Sequence, residues 1–349
     1  MKNIFLLIDD ITTTGGTERV ACTLSSSLCQ LGYNVTIHTL NFTKESIHFK
    51  INNEVKIENY ENINRFHAIY QIIKKSKLVN TPIIVISMGK LSVDVALVSI
   101  FCKPNKLIFS EHISYESFGF IKRKIKKTAY KLASKVIFLT ENDCNILTKH
   151  THDDNKFDFI RNINPYYDSG TSISQFNDRQ NIALAVGRLS YQKNFSALID
   201  IWSKIDSTNW KLLIIGDGEE KNKLIKLSKG ISNIEIIPAT KKIDTYYNKA
   251  KVFLMTSRYE GLPMVLIESQ YFGIPAIAYD CKTGPREIII NNRTGYIISN
   301  NDKETFTKKL NFLLQNNEEL NRMHINSIKN HGEYSPDSIL KKWIRIIEA

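Results

Sequence analysis

The sequence holds 349 residues, 42% hydrophobic and 23% charged, with a formal net charge of +12. That length exceeds one comfortable core and predicts two domains of about 170 residues each. No apolar run approaches the roughly 18 residues that would mark a membrane-spanning helix. Five scattered cysteines without CxxC spacing argue against a structural zinc and for a reducing compartment.

MKNIFLLIDD opens like a leader, but Asp9 and Asp10 end its apolar run, so it reads as a first parallel strand of a protein that stays where it is made. Strand-like runs then recur at Asn3–Ile8, Asn34–Leu40, Ile83–Ser87, Lys106–Ser110 and Lys135–Leu139, separated by helical segments such as Glu18–Leu31. This is the spacing of βα units in a mostly parallel sheet. Gly15 and Gly16 follow the first strand and precede a helix, so a phosphate or sugar can approach the backbone closely there. The spacing is neither GxGxxG nor a P-loop, and a simple flexible loop is the plain alternative. Glu111 and His112 end the fourth run, where a histidine can hydrogen-bond a sugar or carry a proton.

From Lys122 to Lys135 the chain reads KRKIKKTAYKLASK with no acid. Ile121, Ile125, Ala129, Leu132 and Val136 interleave at helical spacing, predicting an amphipathic helix with an apolar side and a cationic face that includes Lys126. An anionic membrane surface or acceptor suits that face, and a merely solvated face is the alternative. No nucleic-acid recognition module accompanies it. The pattern breaks into polar residues between Asn155 and Asn181, which puts a domain boundary near Pro165. His150, His152, Asp153 and Asp154 read as a solvated loop and not as metal ligands.

The second half starts afresh with strands at Ile182–Gly187, Lys211–Gly216, Ile234–Ala239, Lys251–Met255, Pro275–Asp280 and Gly295–Ser299, and helices at Phe195–Ile205 and Glu219–Lys229. Helices at Lys303–Leu314 and Glu318–Lys329 follow, and Pro336 opens a last one whose Ile339, Trp343 and Ile346 need a partner surface. Two similar sheets imply a ligand cleft. Arg188 and Lys193 fall in the loop after the first strand of this half, where a guanidinium and an ammonium can clamp a diphosphate. Gly216 and Gly218 end the next strand, allowing backbone to meet a base or ribose or simply making a tight turn. Asp217 and Glu219 are a poor acidic pair for a metal.

The densest signal is TSRYEGLPMVLIE, Thr256–Glu268. Glu260 lies in a loop at a strand's carboxyl end. Gly261 and Leu262 lead to Pro263 at the first helical position, and Glu268 sits inside the helix. The N–H groups of Leu262, Met264 and Val265 are placed to receive an anion. A carboxylate beside a phosphate needs hydroxyls to bind, so Glu260 and Glu268 read as sugar or ribose binders, with helix capping as the plain alternative. Arg286 follows Gly284 and Pro285 at another helix start.

Gly15-Gly16, GRL with Lys193, GDGE at Gly216–Glu219, EGLPMVLIE at Glu260–Glu268, GIP at Gly273–Pro275 and GPREII at Gly284–Ile289 together resemble the retaining glycosyltransferases of the GT-B fold, specifically the large family 4 group that builds bacterial polysaccharides and glycolipids. The resemblance implies an α/β protein of two Rossmann-like domains facing across a cleft: residues 1–165 bind acceptor, 166–333 bind nucleotide sugar, and 334–349 form a helix crossing back to the first domain. It implies that Arg188 and Lys193 hold the diphosphate, Glu268 the ribose and Glu260 the donor sugar, with Gly16 near a donor phosphate and His112 near the reacting sugar. Leu262 stands where the family has phenylalanine. The DCKTGPREII version of the last motif is similar to that of enzymes adding hexoses or N-acetylhexosamines from UDP-sugars. The implied activity is therefore metal-independent, cofactor-free transfer to a glycan or lipid-linked glycan with α configuration retained. The implied location is cytoplasmic and peripheral on the inner membrane face. A non-catalytic sugar-nucleotide or glycan binder, or a UDP-sugar epimerase, is the alternative on the same scaffold.

Overall fold

A computed structural model describes residues 2–151, 153, 155–167 and 170–349. The chain divides into two compact units, Met1–Ile163 with Pro336–Ala349, and Asn164–Ser335.

In the first unit β1 (Asn3–Asp10), β2 (Asn34–Asn41), β3 (Lys56–Asn59), β4 (Ile83–Ser87), β5 (Leu107–Glu111), β6 (Lys135–Phe138) and β7 (Phe157–Phe159) form one parallel sheet in the order 3-2-1-4-5-6-7. Helices α1 (Gly16–Gln30), α2 (Arg65–Leu78), α3 (Lys90–Phe101), α4 (Phe120–Lys131) and α5 (Glu141–Thr151) make the crossovers. Every residue of β4 and β5 is buried, as central parallel strands covered on both faces require. The sequence reading has no strand at β3 or β7. Both are edge strands, one KIEN without a buried residue and the other three residues long, so neither carries the apolar run that marks a central strand.

The second unit repeats the design. Strands β8 (Ile182–Val186), β9 (Lys211–Ile215), β10 (Ile234–Ile237), β11 (Val252–Met255), β12 (Ala276–Tyr279) and β13 (Gly295–Ile298) pair in parallel in the order 10-9-8-11-12-13. Around them lie α6 (Phe195–Trp202), α7 (Lys221–Ser228), α8 (Ile243–Lys249), α9 (Met264–Tyr271), α10 (Pro285–Ile288), α11 (Lys303–Leu314) and α12 (Asn317–Asn330). Trp202, Phe306, Leu310 and Leu313 are core residues on one side of the sheet. Buried Arg179 ties the start of this unit together by donating to the carbonyls of Tyr247 and Ala250 at 3.0 and 2.8 Å.

The last helix, α13 (Pro336–Glu348), belongs to the first unit. Ile339, Leu340, Trp343, Ile346 and Ile347 join the core formed by α1 and β1. Burying a side chain of that kind contributes about 1.5–3 kcal/mol.

The basic segment is the main correction. Its helix ends at Lys131, and Lys135 and Val136 already belong to β6, so the interleaved apolar positions do not form one buried stripe. Ile121 and Ile125 face solvent, whereas Ala129, Tyr130 and Lys126 face inward. Lys126 is therefore no part of a cationic surface. Among the described residues no helix is long and apolar enough to cross a membrane.

Candidate functional site

In a parallel sheet the carboxyl ends of the strands present the functional loops. In the second unit four such loops are knitted into one rim. The loop after β8 runs against the loop after β9 through Leu189 N donating to Asp217 O and Glu220 N donating to Leu189 O, both at 2.9 Å. A Cβ on Gly216 would lie 1.9 Å from the Gly187 carbonyl oxygen, and one on Gly218 would lie 2.4 Å from that of Leu189. These glycines are thus explained by backbone packing between loops.

The same β8 loop also binds the loop after β11. Arg258 N donates to Gln192 O at 2.8 Å, Gln192 Nε2 donates to Tyr259 O at 3.0 Å, and Thr256 Oγ1 donates to Asn194 O at 3.1 Å. From β12, Lys282 accepts from Glu260 N at 3.0 Å, and Thr283 N donates to Glu260 O at 3.2 Å. Glu260 is held by backbone on both sides.

Within this rim Lys193 Nζ lies 2.7 Å from Glu260 Oε1. The pair is mostly buried, and Gln192 Nε2 reaches the other carboxylate oxygen at 3.4 Å. Among the described residues the Lys193 ammonium has only Glu260 as a hydrogen-bond partner. Arg188 is exposed and leans toward Glu219, 3.4 Å away. Cys281 is buried nearby, its thiol pushed well up first by burial and then by the Glu260 charge, so it stays protonated.

Gly261 and Leu262 carry the chain from Glu260 to α9. Pro263 is the cap and not the first helical residue, so the helix begins at Met264 and Val265, one residue later than predicted. The first N–H groups of a helix have no intrahelical acceptor, so this end can hold an anion. Glu268 is fully buried, and its Oε2 accepts from Tyr247 Oη at 2.8 Å. Tyr247, on α8, orients this carboxylate; spacing along the chain gives no sign of it. Arg286, at α10, is engaged with the carboxylate of Asp280.

In the first unit Asp10, at the end of β1, accepts from the backbone N–H and hydroxyl groups of Thr12 and Thr43. Burial raises its pKa, yet those hydrogen bonds outweigh it and leave the carboxyl below its ordinary range. They also fix the turn that leads to Gly15 and Gly16 at the start of α1. Glu18 folds back over that turn, so a Cβ on Gly15 would lie 2.5 Å from Glu18 Oε2. Thr17 Oγ1 donates to Glu18 Oε1 at 3.0 Å. The acid three residues after Gly15 has capping-box spacing, the one sequence signal that could have flagged it.

His112 follows β5, with its backbone N–H donating to Ser87 O at 2.8 Å and its Nε2 3.0 Å from Ser110 Oγ. It lines a small pocket with Thr23, Asn162 and Trp343. Burial lowers its pKa to about 4, so the ring is neutral at neutral pH. Beside it, Lys126 Nζ contacts Glu111 Oε1 and Ser92 Oγ at 2.5 Å and Gly89 O at 3.1 Å, a sealed cluster that sequence spacing does not reveal. Of the polar loop after α5, His152 and Asp154 lie outside the described residues, and among the described residues no group of three metal-ligating side chains converges.

Two Rossmann-like units with these topologies define the GT-B class, and a solved structure of a Staphylococcus aureus TarM mutant with fondaparinux, alpha-GlcNAc-glycerol and UDP matches at a TM-score of 0.83 and 16% identity over 100% of both chains. The model of the family "Glycosyl transferases group 1" matches residues 171–330. The chain is 41% identical to the amylovoran biosynthesis glycosyltransferase AmsD of Erwinia amylovora over 99% of this chain and 100% of the relative. It is 25% identical, over 96% of this chain and 95% of the relative, to the Campylobacter jejuni GalNAc-alpha-(1->4)-GalNAc-alpha-(1->3)-diNAcBac-PP-undecaprenol alpha-1,4-N-acetyl-D-galactosaminyltransferase. The chain belongs to the group 1 glycosyltransferases.

Proposed function

We propose that this glycosyltransferase moves a hexose or N-acetylhexosamine from a UDP-sugar to a hydroxyl of a glycan or lipid-linked glycan, with retention of α configuration and without a metal. The observation that carries the reading is the Lys193–Glu260 pair held at 2.7 Å in the rim of strand-end loops, just before the helix start at Met264. The named substrates of the Campylobacter relative and the UDP in the TarM structure support this substrate class.

In this mechanism Lys193, Arg188 and the first N–H groups of α9 take up charge as UDP departs. Glu260 accepts hydrogen bonds from donor-sugar hydroxyls, and Glu268 accepts from the ribose. Gly216 and Gly218 keep the neighbouring loop close to the nucleotide. In the first unit, Gly15 and Gly16 offer backbone to a phosphate and neutral His112 hydrogen-bonds the reacting sugar. The acceptor hydroxyl attacks the face that UDP leaves, its proton passing to a departing phosphate oxygen. The protein works in the cytoplasm, peripheral on the inner face of the membrane, with the Lys122–Lys135 region toward anionic lipid.

The test is a panel of UDP-sugars incubated with and without polyprenyl-pyrophosphate-linked glycans, in EDTA, following UDP release and the anomeric proton of the product by NMR. Acceptor-dependent UDP release with an α product is the expected result. Release only with added divalent metal, a β product, or sugar interconversion without transfer would each refute it.

A further inference from the structure

The first sheet changes direction between β1 and β4, with β2 and β3 on one side and β5, β6 and β7 on the other. In open α/β sheets a ligand lies outside the carboxyl ends of the strands at such a switch point. Here that place belongs to the turn from Asp10 to Gly15 and to the start of α1, a helix of 15 residues.

Glu18 stands in the first turn of that helix and is only 8% exposed. Among the described residues its carboxylate is in no ion pair, and its hydrogen bonding is limited to the 3.0 Å contact of Oε1 with the Thr17 hydroxyl. Oε2 is buried with no hydrogen-bond partner. Gly15 lies directly against that oxygen, since a Cβ there would come within 2.5 Å of it.

Helix capping does not account for this arrangement. In a capping box the acid accepts from the N–H of the N-cap residue. Gly15 is that residue here, and neither oxygen of Glu18 takes its N–H. A buried carboxylate oxygen without a donor bears its full desolvation cost, so its retention marks a place where a donor arrives. A phosphate does not suit it, because a phosphate brings acceptor oxygens and negative charge that the carboxylate repels. A hydroxyl suits it, having an O–H to give, and a sugar ring carries several.

We propose that Glu18 is a sugar-binding residue of the first unit. Its Oε2 accepts a hydrogen bond from a hydroxyl of the substrate sugar seated at the Gly15–Gly16 turn, while Thr17 holds Oε1. Gly15 moves off Oε2 as the sugar enters, a step that two successive glycines permit. This deepens the proposed function and rests on its sugar substrate. The hydroxyl can come from the donor sugar or from the acceptor sugar, and the two arms of the test separate them.

The experiment measures binding by the full chain and by Glu18→Gln and Glu18→Ala, each checked for an unchanged thermal transition. One arm compares, by calorimetry, UDP with UDP-glucose, UDP-galactose and their N-acetylated counterparts. The other follows methyl glycosides of the same sugars by saturation-transfer NMR in the presence of UDP. Both variants should bind UDP within about twofold of the wild type and lose about tenfold or more on the sugar that the wild type favours, the worth of a hydrogen bond to a charged acceptor. A loss in the first arm assigns the hydroxyl to the donor and a loss in the second to the acceptor; each supports the proposal. It is overturned if the variants bind every probe as the wild type does, or if the wild type gains nothing from a sugar in either arm. Equal losses on UDP and on the sugars would also overturn it, by making Glu18 a prop for the turn. No turnover is measured, so absent transfer beside an intact binding contrast would sink the activity reading and leave this one standing.

Discussion

Each unit holds a buried lysine–glutamate pair whose glutamate lies at or just beyond a strand's carboxyl end, and the two pairs differ in what else they touch. Lys126 and Glu111 are sealed, with side-chain exposures of 3% and 1%, and the ammonium also contacts Ser92 Oγ and Gly89 O. Lys193 and Glu260 remain 17% and 7% exposed, and the ammonium has Glu260 alone among the described residues. An ammonium has three donors. The first lysine has used all of them and acts as a strut between α4 and β5. The second keeps donors to give. A buried ion pair by itself therefore says little about function; its unspent hydrogen-bonding capacity says more.

The largest expected effect lies on the sealed pair. Lys126→Ala leaves the Glu111 carboxylate buried without its partner and should cost about 3–5 kcal/mol of stability in the first unit. Thermal and urea denaturation measure this, and a Lys126→Met/Glu111→Leu double variant should recover most of it. If the single variant melts like the wild type, the strut assignment fails.

A second expectation follows from the histidines around the first sheet. Burial lowers the pKa of both His112 and His38 from 6.5 to about 4. Each unfolded imidazole gains a proton as pH falls through about 6.5, whereas the folded one stays neutral, so the unfolded state binds more protons. The stability they contribute is complete above pH 6.5 and is lost as pH falls toward 4, by at most on the order of 3 kcal/mol for each ring. Denaturation at stepped pH should show the decline, and His38→Gln should flatten it. A flat profile over that window would show that the rings are accessible to protons.

The open pair should respond in turnover more than in stability. Lys193→Ala is expected to lower transfer about a hundredfold, the loss of one charge-stabilising donor, of the order of 3 kcal/mol in the transition state. Steady-state rates on the donor identified by the panel measure this. A smaller melting shift than that of Lys126→Ala sharpens the contrast between the pairs, and near-normal turnover removes Lys193 from the proposed mechanism.

Much of the scaffold is legible because its causes are local. Runs such as IIVIS and IALAV can only be buried parallel strands in this spacing, and the apolar face of the last helix is plain from Ile339, Trp343 and Ile346. The edge strands β3 and β7 escape notice because half-exposed strands need no apolar run. The basic segment misleads for a related reason: helical periodicity shows that Ile121 and Ile125 share a face, but not whether protein covers it. In the candidate site, the stretch from Glu260 to Glu268 stands out through its loop and helix-start chemistry. Tyr247, Gln192 and Lys282 do not, because each is defined by a contact with a distant segment, and Glu18 is signalled only by its capping-box spacing after Gly15.

Taken alone, the sequence determined two successive βα sheets, the strand-end loops that carry Arg188, Lys193, Glu260 and Glu268, and the resemblance that names the class. Periodicity and turn chemistry act over a few residues and can be read in one dimension. Only the tertiary structure decided that Lys193 meets Glu260 while Lys126 is spent on Glu111, that Tyr247 aims Glu268, and which stripe of α4 is left bare. Burial and hydrogen-bond partnership are properties of what packs against a residue, and here those partners come from segments tens of residues away.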